Sequence, residues 1–374
     1  MLARMDATRL RAMLARAPGL TAENVRALFA RSGGEAHFNG AVDLCREVGM
    51  RPAARAFLSA PDERALSADL RWIESSGVRL VLCTDAEYPP LLAEVRGAPA
   101  VLFVLGSPEA LRSPQLAMVG SRSPTAAGRK TARDFAAELA CAGLTITSGL
   151  AVGVDAASHE GALLKDGLTV AVFGTGLDTV YPSENRRLAA RIREHGALVS
   201  EFPPRTQPMR RNFPQRNRII SGLSLGTLVV EAAERSGSLV TARFAGDQGR
   251  EVFAIPGSIH SRLSRGCHKL LRQGAILAES PADVLSELQI AESKQRLMPR
   301  IRAAGSLTVL DKEYEMLLDA FGFEPATIDV LVERTGLPGE SIASMLLILE
   351  LESRVAALPG GRYDRIPDDD RQRS

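Results

Sequence analysis

The 374-residue sequence predicts an α/β protein: a doubly wound, mainly parallel sheet between a helical N-terminal segment and a winged-helix-like C-terminal one. Three observations carry this. Short apolar runs at 78–83, 101–105, 116–119, 144–147, 169–173, 197–201, 227–230 and 252–255 alternate with Ala- and Leu-rich helical stretches such as 125–142, 154–166 and 184–195. Residues 1–66 show helical spacing and no clear strand. Three helical patterns at 311–321, 327–335 and 340–351 precede a strand–turn–strand at 355–366.

Taken in order, Asp6 is placed to cap a first helix, Pro18-Gly19 breaks it, and Thr21 is placed to cap a second. Two short helices around a Pro-Gly break suggest a helix-hairpin-helix-like (SAM-like) unit or a small bundle that only packs. The sheet domain is expected over residues 67–289. A basic linker follows at 290–309, then the winged-helix-like domain at 310–367 and a polar, disordered tail at 368–374. The third C-terminal helix is apolar and carries Glu340 and Glu350, with Glu352 just beyond. A helix that reads duplex DNA normally presents basic residues, so protein contact or a vestigial module is the expectation here.

Composition narrows the function classes. Apolar content of 45% and charged content of 24% suit a soluble globular chain of two or three domains. A net charge of +2 means that any nucleic-acid role must rest on a local patch. Four cysteines without a C-x-x-C and five scattered histidines signal neither disulfides nor a metal site. No apolar run reaches a membrane-spanning ~18 residues, and no signal-peptide core is present, so a cytoplasmic protein is expected.

The chemistry is expected at strand ends, where doubly wound sheets bind ligands. Gly120-Ser121-Arg122 runs from strand into helix, with Ser123 or Thr125 available as a cap and a fixed charge beside an anion-attracting helix start. Ser148-Gly149 opens a second loop that continues through Gly153 to Asp155. Gly174-Thr175-Gly176 opens a third; lacking the third glycine and the ribose acid, it leaves the dinucleotide fingerprint incomplete, and no cofactor is expected. Tyr181 stacks a base or fills the crevice wall.

The fourth loop is the most informative. Arg210, Arg211, Asn212, Phe213, Arg216, Asn217 and Arg218 cluster within a window, 202–230, that contains no Asp or Glu. Pro214 biases Phe213 toward an extended, exposed conformation. An aromatic among unopposed arginines suits single-stranded nucleic acid, with phosphates on the cations and bases on the ring. The alternative is a solvated basic loop with the ring in the core.

Together these motifs, with Tyr181-Pro182, Ser221-Gly222, Ser236-Gly237-Ser238-Leu239 and Thr241-Ala242, resemble the DprA (Smf) family of DNA-processing proteins over about residues 88–285. The resemblance implies an extended Rossmann-like sheet and no enzymatic activity. It implies binding and protection of incoming single-stranded DNA in natural transformation, loading of the RecA recombinase, and a homodimer. Arg122 matches the family's pocket arginine, Arg210 or Arg211 its basic residue before the aromatic, and Phe213 the stacking aromatic. His268 stands where the family usually has Asn.

An amphipathic helix beside an edge strand makes Ile276, Leu277, Leu285 and Leu288 the expected dimer surface. The competing reading is a Rossmann-like hydrolase acting on a nucleotide or phosphoribosyl derivative. Its P-G-G-x-G-T loop is replaced here by Ser221-Gly222-Leu223-Ser224-Leu225-Gly226-Thr227, leaving Asp155, Glu201 and Glu231 as the carboxylates placed for acid–base work. A scaffold with a vestigial pocket leaves the arginine cluster unexplained.

Overall fold

Capping side chains decide where the N-terminal helices begin. Asp6 accepts from the Arg9 N–H and opens α1 (Ala7–Arg16), and Thr21 forms a capping box with Asn24 at the start of α2 (Ala22–Ser32). Gly19, at φ 68°, makes the turn between them. Three more helices follow: α3 (Val42–Glu47), α4 (Pro52–Ser59) and α5 (Glu63–Ser76). This computed structural model describes residues 6–35, 42–290, 312–321, 325–351 and 354–366. The linker expected at 290–309, Ile290 apart, and the tail at 368–374 lie outside the described residues.

The helical layer is not a separate core. Leu10, Leu14, Val25 and Leu28 join one cluster with Val81, Leu82, Leu102 and Val104 of the sheet, and α5 runs across the boundary expected at 66/67. Asp69 of α5, 1% exposed, pairs with both Arg16 of α1 and Arg205, a residue of the sheet domain.

The sheet is built from β1 (Arg79–Leu82), β2 (Val101–Gly106), β3 (Gln115–Val119), β4 (Thr145–Ser148), β5 (Thr169–Val172), β6 (Gly196–Ser200), β7 (Gly226–Val229), β8 (Glu251–Ala254) and β9 (Ile276–Leu277). Their order is β1-β2-β6-β5-β4-β3-β7-β8-β9. From β6 to β9 every pairing is parallel, while β2 is antiparallel to both β1 and β6. The short α6 (Pro90–Ala93) joins the first two strands, and the rest are crossed by α7 (Ala126–Cys141), α8 (Val154–Leu164), α9 (Arg186–His195), α10 (Asn212–Gly222), α11 (Ser238–Asp247) and α12 (Arg265–Arg272), with α13 (Pro281–Glu287) closing the domain. Strands β3 to β7 are buried at every residue, as helices on both faces require. Successive strands run outward from β3 through β6, then restart on its other side at β7. The winding therefore reverses between β3 and β7, and a crevice opens there beyond the strand ends.

The C-terminal module comprises α14 (Lys312–Ala320), β10 (Ala326–Thr327), α15 (Ile328–Thr335), α16 (Gly339–Leu351), β11 (Val355–Leu358) and β12 (Arg362–Arg365). Its strands pair in the order β10-β12-β11, and Leu317, Leu331, Ile342, Leu346 and Leu349 form its own core. This is a winged helix. Among the described residues no helix is long and apolar enough to cross a membrane.

Beneath the sheet ends, α8 packs on β5 through a fully buried His159. The Thr169 hydroxyl donates to the Ile146 carbonyl at 2.7 Å, so its oxygen accepts from His159 Nδ1–H at 2.6 Å. Nε2 is left as a bare acceptor with no partner among the described residues. Burial, then the charge of Arg216, pushes the imidazole down to about 3 from its usual 6.5. The unfolded chain takes up a proton as pH falls through 6.5, while the folded chain resists until near 3. Stability contributed by the neutral ring is thus present above 6.5 and lost progressively below it. At pH 5 the loss relative to pH 8 should be about 2 kcal/mol. Urea unfolding of the parent and His159→Asn at both pH values checks this; equal pH dependence in the two proteins would rule it out.

Candidate nucleic-acid interface

Four strand-end loops converge beside the crevice. After β3, the Ser121 N–H donates to the Glu231 carbonyl at 2.6 Å, and the Ser121 carbonyl accepts from Val154 N–H at 3.1 Å. The turn is pinned on both sides and Arg122 stands exposed at its tip. Thr125, not Ser123, caps α7, accepting from the Gly128 N–H at 2.9 Å.

Phe213 lies within α10, which starts at Asn212, and this corrects the extended conformation expected from Pro214. Proline is tolerated in a helix's first turn, where its missing N–H has no acceptor to serve. The ring is nonetheless half-exposed. Its floor is Gly174, where a Cβ would come within 2.9 Å of the ring. Tyr181, 45% exposed, tilts against it with centroids 5.6 Å apart. The Arg122 guanidinium carbon sits 5.9 Å from the ring centroid. Arg210 and Arg211 are exposed immediately before α10. Two aromatics and Arg122 thus share one rim, with Arg210 and Arg211 exposed in the segment that leads into it, and Tyr181 is the member the sequence left undecided.

Several expected contact residues turn inward instead. Arg216 is 4% exposed; its Nη1 donates to the Gly149 carbonyl at 2.7 Å and also to the Val172 carbonyl. Burial lowers its pKa to about 10, with Asp155 opposing that shift and Arg122 adding to it. It is a clamp beneath the site and not a phosphate ligand. Arg218 pairs with Glu201 at 2.5 Å, both largely buried. Asn212 is buried and donates to the Gly174 carbonyl at 3.1 Å. The Ser148 hydroxyl is buried and donates to the Met118 carbonyl at 2.6 Å. Gly149 and Gly176 are buried as well, the latter donating its N–H to the Thr206 carbonyl at 3.1 Å. Asn217 is half-buried and reaches the Gly237 carbonyl at 3.5 Å. The acid-free window at 202–230 was misleading because its counter-charges, Glu201 and Asp69, lie outside it.

The three carboxylates considered for catalysis are each engaged. Asp155 accepts from the Gly149 and Ala151 N–H groups at 3.1 and 3.3 Å. Glu201 holds Arg218, and Glu231 accepts from the Thr125 N–H and hydroxyl at 2.9 and 2.7 Å. Burial pushes the pKa of all three upward.

The expected dimer surface divides. Ile276 is half-buried and Leu277 46% exposed on edge strand β9, whereas Leu285 and Leu288 pack partly buried against the core under α7. That corrects their expected exposure: α13 turns its apolar face toward the sheet domain.

Residues 79–289 match the family described as DNA recombination-mediator protein A, and residues 302–361 match the DprA winged helix domain. Protein Smf of Escherichia coli is 46% identical over 314 residues, 82% of this chain and 83% of that protein. The DNA processing protein DprA of Streptococcus pneumoniae is 47% identical over 205 residues, 55% of this chain and 72% of that one. Among solved structures, the X-ray structure of the Streptococcus pneumoniae DprA matches with a TM-score of 0.67 at 37% identity, covering 76% of this chain and 98% of that one. A structure of DNA processing protein A from Helicobacter pylori, described for its single-stranded DNA binding mode, matches with a TM-score of 0.52 at 28% identity, covering 57% and 97%. With a winged helix behind a nine-stranded sheet and a family match over most of that sheet, the chain belongs to the DNA recombination-mediator protein A (DprA/Smf) family of DNA-processing proteins.

Proposed function

We propose that this protein binds single-stranded DNA without regard to sequence, through the rim formed by Arg122, Arg210, Arg211, Phe213 and Tyr181. It protects the strand and delivers it to a RecA-type recombinase during natural transformation. The observation that carries the reading is the exposed Arg122 over a half-exposed Phe213 ring, 5.9 Å apart. Cations for phosphates and rings for bases are what a sequence-tolerant single-strand site requires, and no base-edge code is needed. The backbone of the Gly120-Ser121 turn and the Gly174 floor complete the site. The protein acts in the cytoplasm without catalysis. It works as a homodimer through the β9 edge, where Ile276 and the exposed Leu277 meet a second copy.

Arg122→Ala should weaken binding to homopolymer strands of any base and reduce the salt slope by roughly 0.7 per lost phosphate contact. Phe213→Ala should cost about 1–3 kcal/mol of affinity. Both variants should unfold like the parent. Arg216→Ala should instead lose about 3 kcal/mol or more of folding stability, because it leaves two carbonyls and Asp155 uncompensated. Salt titrations of oligonucleotide affinity beside urea unfolding separate these roles. Parent-like binding by both Arg122→Ala and Phe213→Ala would overturn the site.

The hydrolase alternative makes a different forecast. It requires release of free base from nucleoside monophosphates that Glu231→Gln abolishes. With both Glu231 oxygens held by Thr125, no base release above the uncatalysed background is expected from parent or variant in a chromatographic assay.

A further inference from the structure

The start of α7 is served by two separate parts of the chain. Within the sheet domain, Thr125 satisfies the Gly128 N–H, and Glu231 satisfies Thr125 itself. The Ala126 and Ala127 N–H groups have no acceptor one turn earlier in their own helix. They are faced by the carboxylate of Asp364, which β12 of the winged helix delivers. Asp364 is 6% exposed. An anion on a helix N-terminus is favourable, but this one is poorly satisfied. Its Oδ2 has no hydrogen-bond partner among the described residues, and the Glu231 carboxylate lies close enough to repel it. A buried carboxylate with one oxygen unpaired beside a like charge makes a weak latch.

The surroundings of that contact are open. Leu358, Pro359 and Arg362 of the wing roof a cavity of about 1220 Å³, opposite the 255–264 loop and over Ser123, Thr125 and Glu231. This is the β3/β7 crevice, where the winding of the sheet reverses. The loop that enters α7 at Thr125 also bears Arg122 three residues earlier, so the latch and the single-strand rim sit at opposite ends of one short turn.

We propose that Asp364 latches the winged-helix module over the β3/β7 crevice, and that phosphates of a DNA strand drawn to Arg122 release it. Asp364 sits on the positive N-terminus of α7 and the strand's phosphates would draw on that same end from Arg122, so the strand weakens the latch and the latch weakens strand binding by the same factor. The inference rests on the single-strand reading above.

The test uses the full chain, a deoxythymidine homopolymer as the strand, and amide hydrogen exchange of the wing and of the first turn of α7. In the free parent both segments should be protected. With saturating strand, wing amides should exchange faster by about fivefold or more. Asp364→Ala should show that faster exchange without strand and bind the homopolymer about fivefold tighter. Ala127→Asp tests the latch from the α7 side, with every wing residue unchanged. It adds a carboxylate that the first turn of α7 tolerates but that repels Asp364, so the wing should again exchange fast. A strand that binds while wing exchange stays at the free value would overturn the proposal, as would parent-like wing exchange in both variants. A chain that binds no strand at all would instead overturn the single-strand reading, and the release step with it.

Discussion

The site depends on one guanidinium buried beneath it. Parallel strands end in carbonyl groups that need donors, and Arg216 supplies them to Gly149, beyond β4, and Val172, at the end of β5. Asp155 compensates the charge from the other side while holding the loop's own N–H groups. The cost is visible in the lowered pKa, about 10, yet at neutral pH the group remains a cation. Arg216 lies three residues after Phe213 on α10, and residues at that spacing share a helix face. Fixing Arg216 under the strand ends therefore fixes Phe213 over Gly174. Gly149 has to lack a side chain, because the guanidinium fills the space a Cβ would take.

That clamp explains how the charges of the basic segment are sorted. Arg205 goes to Asp69, Arg218 to Glu201 and Arg216 to backbone carbonyls. These three hold helices and loops together, Arg216 and Arg218 from largely buried positions and Arg205 from the surface. Arg122 remains exposed against the aromatic pair, and Arg210 and Arg211 remain exposed just before Phe213 in the chain. A protein with a net charge of only +2 can still present a local positive rim, provided that its other arginines are neutralised by partners.

The strands were legible in the sequence because fully buried parallel strands read as short apolar runs, and the caps at Asp6 and Thr21 because their chemistry is local; at α7 the sequence offered Ser123 or Thr125, and the structure takes Thr125. The sheet order was not legible: nothing local to β3 or β7 tells that they are neighbours across the winding reversal. The ion pairs failed for the same reason. Glu201 stands one residue before the acid-free window, and Asp69 is 136 residues from Arg205. Pro214 misled in the opposite way, since a local preference for extended structure yields where a helix begins. The inward packing of Leu285 and Leu288 depends on α7, which the local pattern around α13 does not contain.

The carboxylates of the cleft are engaged with its own walls. A general base needs an oxygen free to take a proton within reach of a substrate. Here Asp155 holds the Gly149 and Ala151 N–H groups through one oxygen, Glu201 holds Arg218 through one oxygen, and both oxygens of Glu231 are held by Thr125. Each thereby fixes a loop or helix that frames the rim. With these acids paired to groups of the cleft's own walls, Arg122 and the Phe213–Tyr181 pair are left to face outward, and a cation beside two rings is the arrangement that the proposed single-strand site requires.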